Sequence, residues 1–269
     1  MNKKVVGDLF TLVRKGNPLV HHITNAVTIN DCANVTLAIG ASPVMATSVE
    51  EVEEMVQLAN ALVLNIGTIQ SETFSAMILA GKAANEKGIP VIFDPVGVGA
   101  TTFRKKLAAE LLEKVRVTII RGNASEINSL VGGKGKTRGV DSTDNSLEAK
   151  ELAIKAANLF SCVVVVSGKV DVVSDGKEIV QIENGDTWLT KVTGTGCMTT
   201  SLIGSFAGTT NDYFSASIAG MSAMSLAGER AKRNLPEGAG IGHFKVKLMD
   251  EIFHLDGYIW GKEVSIVES

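Results

Sequence analysis

Short runs of apolar, often β-branched residues alternate along the chain with longer segments whose apolar positions recur at helical spacing. That alternation predicts βα units arranged around a mostly parallel sheet. Strands are predicted over residues 19–24, 61–66, 90–93, 117–120 and 162–166. Several are apolar at consecutive positions, as expected of strands covered by helices on both faces. Helices are predicted over 49–60, 71–87, 104–114, 125–130, 147–160, 198–207, 213–233 and 245–255. No linker divides the chain, so one α/β domain over residues 1–269 is expected. The polar run at 132–146 reads as a surface loop.

In an open α/β sheet, ligands gather at the carboxyl ends of the strands. The residues just after each predicted strand therefore carry the most information. The strand at 61–66 runs into Gly67-Thr68, and that at 90–93 into Asp94-Pro95-Val96-Gly97-Val98-Gly99. The strand at 117–120 leads to Arg121-Gly122-Asn123, with Glu126 three residues beyond, and that at 162–166 leads to Ser167-Gly168-Lys169. A further stretch, K-V-T-G-T-G-C-M at 191–198, is a glycine turn entering a helix. The first N–H groups of such a helix have no intrahelical partners. With the positive end of the helix dipole they can hold a phosphate or a developing negative charge. Cys197 stands where the same field favours its thiolate. The plainer reading is a tight turn carrying a small buried hydrophobe.

Asp94 and Glu126 are hard oxygen donors suited to Mg²⁺, directly or through water, beside substrate phosphates. Taken singly, Asp94 also reads as a turn cap and Glu126 as a residue favouring a helix N-terminus. Taken together with Arg121 and the glycine turn on one rim, they favour phosphoryl transfer. Two other motifs carry less. Gly135-Lys136-Thr137 resembles the end of a P-loop, but the motif requires glycine where Leu130 stands, and it follows a helix rather than a strand. His21-His22 cannot share a metal ion, because neighbouring strand residues point to opposite faces. At most one of them faces a site.

Composition narrows the partners. Aromatic residues make up only 5% of the chain, so the core falls to Val, Ile, Leu and Ala. Twenty-six basic against 29 acidic residues give a net charge of −3 with no basic stripe, which points away from nucleic acid. Arg104-Lys105-Lys106 and the cluster at 230–233 read as solvated helix faces. Cys32, Cys162 and Cys197 are widely spaced, which argues against a disulfide framework or a zinc site and fits a reducing cytoplasm. The start M-N-K-K-V-V-G-D has no apolar stretch typical of a signal peptide, and no apolar run approaches the ~20 residues of a membrane span. A soluble cytoplasmic protein is expected.

Six motifs occur in order: P-L-V-H-H-I-T-N at 18–25, G-A-S-P-V-M-A at 40–46, F-D-P-V-G at 93–97, R-G-N-A-S-E at 121–126, S-G-K-V-D at 167–171 and G-T-G-C-M at 194–198. As a set they resemble the hydroxyethylthiazole kinases, the thiamine-salvage branch of the ribokinase-like superfamily, over essentially the whole chain. The resemblance implies a three-layer ribokinase-like fold and transfer of the ATP γ-phosphoryl group to the primary hydroxyl of a hydroxyethyl-methylthiazole. It implies that Arg121, Ser167 and Asn123 lie in the ATP site, and that Asp94 and Glu126 support Mg²⁺. Met45 and Gly194 would line the thiazole pocket, with Asn25 and Val27 nearby, and Cys197 would stand next to the acceptor hydroxyl. The amides of the Gly194–Gly196 turn would meet the charge on the transferred group. A homotrimer with the thiazole bound at a subunit interface is also implied.

Sugar kinases of this superfamily usually carry G-x-G-D, the aspartate serving as general base; here Cys197 replaces it. A hydroxymethylpyrimidine kinase or an ATP-dependent repair dehydratase would be expected to keep that aspartate. A catalytically silent nucleotide or thiazole sensor would be expected to lack Arg121, Asp94 or Glu126, and all three are present.

Overall fold

The computed structural model describes residues 1–133 and 145–268. Most of the loop expected at 132–146, including Gly135-Lys136-Thr137, lies outside the described residues. In chain order, α1 (Lys3–Gly16) precedes β1 (Leu19–Ile23), α2 (Ile29–Ile39) and a short β2 (Ser42–Val44). There follow α3 (Val52–Leu58), β3 (Ala61–Asn65), α4 (Ser71–Lys87), β4 (Val91–Asp94), α5 (Thr102–Lys114) and β5 (Ile119–Asn123). Helices α6 (Ala124–Leu130) and α7 (Asn145–Phe160) lead to β6 (Val163–Ser167), β7 (Asp171–Ser174) and β8 (Ile179–Ile182). A 3-10 turn at Thr187–Lys191 feeds α8 (Thr195–Ala207), α9 (Tyr213–Arg233), α10 (Ile241–His254), α11 (Gly257–Glu263) and β9 (Ile266–Glu268).

The strands form one nine-stranded sheet in the order β2-β1-β3-β4-β5-β6-β7-β8-β9. From β2 to β6 the neighbours run parallel, and β7, β8 and β9 complete the sheet antiparallel. All five predicted strands are present. The hydrophobic pattern did not predict α1, α2, α11 or strands β2, β7, β8 and β9. Strands β2 and β9 are three residues each, and β2 carries Pro43 at the sheet edge, where proline is tolerated. Helix α1 did carry a signal: Val6, Leu9, Phe10 and Val13 recur at helical spacing on its buried face. The Asn2 side chain caps its start, and Asn17 ends it in a left-handed conformation.

Alternation along the central strands sends side chains to two cores. Val20, Val63, Ile92, Ile119 and Val165 pack with α1, α2, α8, α9 and α10. Leu62, Leu64, Phe93, Ile120 and Val164 pack with α3 to α7. The result is the three-layer arrangement expected.

Helix α8 lies deep in the first core, every residue from Met198 to Ala207 being buried. Phe206 anchors its far end, edge-on to Phe10 of α1 with ring centroids 4.8 Å apart. Truncating a fully buried aromatic ring forfeits its transfer energy and leaves a cavity. Phe206→Ala is therefore expected to lower stability by about 3–5 kcal/mol. Urea unfolding followed by far-UV circular dichroism checks this, and a loss under about 1 kcal/mol would contradict the packing described.

Candidate functional site

Strands β1, β3, β4, β5 and β6 are parallel, so their carboxyl ends share one rim. The register sets Asn65 opposite Asp94 and Asn123 opposite Ser167. Helix α8 begins on the same rim. Its cap is Gly194, at φ 88°, where a Cβ would also stand 2.6 Å from the Thr28 methyl. The helix starts at Thr195, three residues before the start predicted, because its first turn is polar and the apolar pattern begins only at Met198.

Arg121 lies at the centre of the rim. Its Nη2 donates to Ser167 Oγ at 2.8 Å, and Nη1 stands 4.0 Å from Asp94 Oδ2. The guanidinium rests on the first turn of α8: a Cβ at position 196 would come within 2.5 Å of Nη1. A cation is thus held against the positive end of a helix, an arrangement that favours an added anion. Arg121 Nε and Asp94 Oδ1 are buried without a hydrogen-bond partner. Asp94 is fully buried, and its Oδ2 accepts from Thr200 Oγ1 and Asn65 Nδ2. Burial pushes its carboxyl up to about 6, a rise opposed by the Arg121 charge and increased by Glu126.

Cys197 Sγ accepts from two amides, Asn25 Nδ2 and Asn65 Nδ2, each at 3.3 Å. Those donors favour a thiolate, as the helix N-terminus does. They are outweighed by burial, first, and then by the Asp94 charge, so the thiol pKa is raised. The helix field still favours the thiolate, but burial and the Asp94 charge outweigh it.

Glu126 closes a capping box at the start of α6. Its Oε2 accepts from Asn123 N while Asn123 Oδ1 accepts from Glu126 N, and its Oε1 accepts from Gly97 N. The plain reading therefore holds for Glu126, whose carboxylate also reaches the loop after β4, whereas Asp94 caps no turn: its Oδ2 accepts only from side chains and its Oδ1 has no partner. Met45 is half-buried. His21 Nε2 donates to the neighbouring Ala46 carbonyl at 2.8 Å, while His22 turns to the other side of the sheet and contacts Ser201 Oγ. Asn25 is buried, but Val27 is 64% exposed.

Four residues of this region carry roles that sequence reasoning did not assign. Asn65 joins Asn25, Gly67, Asp94 and Cys197. Thr200 supports Asp94. Arg104 donates to the carbonyls of Ile66, Gly67 and Val96, strapping the loop after β3 to the loop after β4. The solvated-face reading therefore holds for Lys105 and Lys106, which are exposed, and not for Arg104. It fails too for Arg230, largely buried between Glu251 and Glu263, but holds for Arg233, which stays exposed while pairing with Glu263. Asp171, buried, accepts from Gly168 N and Ser225 Oγ and so holds the turn that carries Ser167. A polar residue interrupting an apolar strand was the available signal for Asn65.

Comparison with known proteins adds independent information. The model of the hydroxyethylthiazole kinase family matches residues 10–257. A hydroxyethylthiazole kinase of Ruminiclostridium cellulolyticum is 46% identical, covering 98% of each chain. That of Thermoanaerobacter pseudethanolicus is 50% identical, over 96% of this chain and 98% of its own. The structure of a hydroxyethylthiazole kinase from Pyrococcus horikoshii superposes with a TM-score of 0.91 at 39% identity, over 99% of both chains. A pyridoxal kinase from Staphylococcus aureus, solved with AMP-PCP and pyridoxal, matches with a TM-score of 0.64 at 12% identity, over 94% of this chain and 99% of its own. That last likeness concerns the fold alone, which is ribokinase-like.

Asp171 supplies a pH-dependent prediction. Burial raises its folded pKa from 3.8 to about 6, opposed by its bonds to Gly168 and Ser225 and by the Arg121 charge. Below the unfolded value the carboxyl is protonated in both states and carries no ionisation penalty. As pH climbs through the folded value, the folded state must release a proton that the unfolded state has already lost. Its contribution to stability therefore falls with rising pH, by roughly 1.4 kcal/mol per unit within that window. Asp171→Asn keeps the shape and removes the titration. In urea unfolding of the ligand-free protein, the variant should gain on wild type between about pH 4 and pH 6 and then hold a constant difference. A difference independent of pH would contradict the assignment.

Proposed function

The chain belongs to the hydroxyethylthiazole kinase family, and we propose that it transfers the γ-phosphoryl group of ATP to the primary hydroxyl of a hydroxyethyl-methylthiazole. The observation that carries the phosphoryl-transfer chemistry is the Arg121 guanidinium, pressed on the α8 N-terminus with its Nε unpartnered. Phosphoryl transfer depends chiefly on positioning and charge stabilisation. Arg121, held by Ser167, binds phosphate oxygens of ATP, with Asn123 at the edge of the same site. The amides of Gly194 and Gly196 meet charge on the transferred group.

The donor set fits Mg²⁺. Asp94 Oδ1 is a buried carboxylate oxygen without a partner, and Glu126 lies close enough to raise the Asp94 pKa. Asp94 would hold the ion, and Glu126 would hold it directly or through water. When bound, Mg²⁺ neutralises phosphate charge.

Met45, Gly194, Asn25 and Val27 form the thiazole side, and Cys197 faces the acceptor hydroxyl. A thiol whose pKa is raised is largely neutral at pH 7, so Cys197 acts mainly by placing the hydroxyl, with proton removal late in the reaction. The exposure of Val27 supports closure of this pocket by a neighbouring subunit, in a trimer acting in the cytoplasm as a single-domain kinase. A pyrimidine alcohol is the rival substrate, and Cys197 in place of aspartate weighs against it.

A coupled ADP-release assay across thiazole and pyrimidine alcohols tests this function. ADP release with the thiazole alcohol well above the pyrimidine is expected, and the reverse order would overturn the reading. Two variants examine the machinery. Gly196→Ala drives a methyl group into Arg121, so ATP affinity should fall at least about tenfold, roughly the loss of one charge-assisted hydrogen bond; unchanged binding in calorimetry would place ATP elsewhere. Cys197→Ala should cost kcat about ten- to a hundredfold, at or below the low end of general-base effects. Cys197→Asp, which keeps an acceptor for both asparagines, should remain active. If the Ala variant keeps wild-type turnover while Asp only raises the thiazole KM, Cys197 is a packing residue.

A further inference from the structure

Asn65 ends β3, is almost fully buried, and uses every hydrogen-bonding position of its amide. Its Oδ1 accepts from Gly67 N at 2.9 Å and from Asn25 Nδ2 at 3.1 Å. Its Nδ2 donates to Asp94 Oδ2 at 3.0 Å and to Cys197 Sγ at 3.3 Å. The direction of the amide is fixed by these neighbours. A backbone N–H can only donate and an ionised carboxylate can only accept, so a flipped amide would set oxygen against oxygen and N–H against N–H. Asn25 is fixed the same way, its Oδ1 accepting from Val27 N and Thr28 N and its Nδ2 turned to Asn65 and Cys197.

We infer that Asn65 is a positioning residue that holds the Cys197 sulfur and the Asp94 carboxylate in one fixed relation. The inference rests on the kinase reading above, in which the sulfur faces the acceptor hydroxyl and Asp94 the phosphate side. The fold does not require this side chain. The β3–β4 ladder is aligned by backbone pairing from Leu62 to Asn65, in a strand otherwise Ala-Leu-Val-Leu. An apolar residue would suit that strand, whereas a buried amide is costly unless every group is paired. The plainer role, capping the Gly67 turn, uses only Oδ1. It leaves the two donated hydrogen bonds, one to each reacting-side group, without a purpose.

Asn65→Asp separates the two roles. It is close to isosteric and keeps the oxygen that accepts from Gly67 N, but as a carboxylate it loses both donors and adds a charge beside Asp94, so it is read together with Asn65→Leu, which loses the donors and adds none. Asn65→Ala removes everything, and a double-mutant cycle with Cys197→Ala shows whether its effect passes through the sulfur. Kinetics use the full chain with ATP and the thiazole alcohol, with ATP affinity by calorimetry and thermal melting alongside. The expected result is a loss of kcat of about tenfold or more in each Asn65 variant, with ATP affinity within about twofold of wild type. In the Cys197→Ala background, Asn65→Ala should cost less than about threefold. An Asn65→Asp or Asn65→Leu variant with wild-type kcat would overturn the inference. So would an equal loss from Asn65→Ala in both backgrounds, or ATP affinity falling in step with kcat. Should Asn65→Ala fail to fold, Asn65→Leu, similar in size and adding no charge, takes its place in the cycle. A wild-type chain that releases no ADP with the thiazole alcohol would overturn the kinase reading and this inference with it, while an active wild type with additive losses overturns this inference alone.

Discussion

The guanidinium of Arg121 can lie against the first turn of α8 only because position 196 has no Cβ; a methyl group there would stand 2.5 Å from Nη1. The contact joins two positive elements, a cation and a helix N-terminus, whose electrostatic demands add. Asp94 answers only part of this demand, from 4.0 Å, and spends its Oδ2 on Thr200 and Asn65. Ser167 accepts one guanidinium hydrogen and contributes no charge. The local charge is therefore unbalanced in a way that an added anion would correct, and the rest of the rim is arranged around the place such an anion would take.

The same electrostatics explain why a thiol suits position 197. Asp94 is buried and already carries a raised pKa. A second carboxylate nearby would add like-charge repulsion to both groups. A thiol is neutral when protonated, so it can share the donors of Asn25 and Asn65 without adding a charge beside Asp94. The cost is a weaker base. In the reaction proposed, the acceptor of a loose transition state would lose its proton late, so orientation of the hydroxyl would outweigh base strength.

The strand-end rule made most of the rim legible in the sequence. Asp94, Arg121, Ser167 and the Gly194–Cys197 turn follow predicted strands or open a predicted helix, and the fold gathers them. What stayed hidden was the set of residues that join these groups. Asn65 sat inside a run read as strand to residue 66, and the one mark it carried, a polar residue in an apolar strand, did not say which groups its amide would join. Arg104 belonged to a basic triplet whose other two members are solvated, and only the tertiary fold brings it to the carbonyls of Ile66, Gly67 and Val96. Asp171 was noticed as part of a motif, but its partner Ser225 lies 54 residues away on α9. Pairings of this kind depend on which elements pack together, and local pattern does not contain that information. Strands β7, β8 and β9 were missed for a simpler reason, since each is too short to establish a period.

The placement of the α8 N-terminus is finally a packing result. Gly204 of α8 approaches the sheet so closely that a Cβ would meet Val63 Cγ2 at 2.7 Å. The hydroxyls of Thr199 and Ser205 donate to carbonyls of the preceding turn, that of Thr200 donates to Asp94 Oδ2 and that of Ser201 meets His22 Nε2, so the buried helix leaves these polar groups paired. Phe206 fixes the far end against Phe10. A helix held along its whole length cannot slide without breaking several of these contacts, because close-packed interiors shift only in discrete steps. The first-turn amides are therefore rigid with respect to the strand ends, as charge stabilisation demands. Small residues in α8, unremarkable one by one, thus set the distance between the helix N-terminus and Arg121.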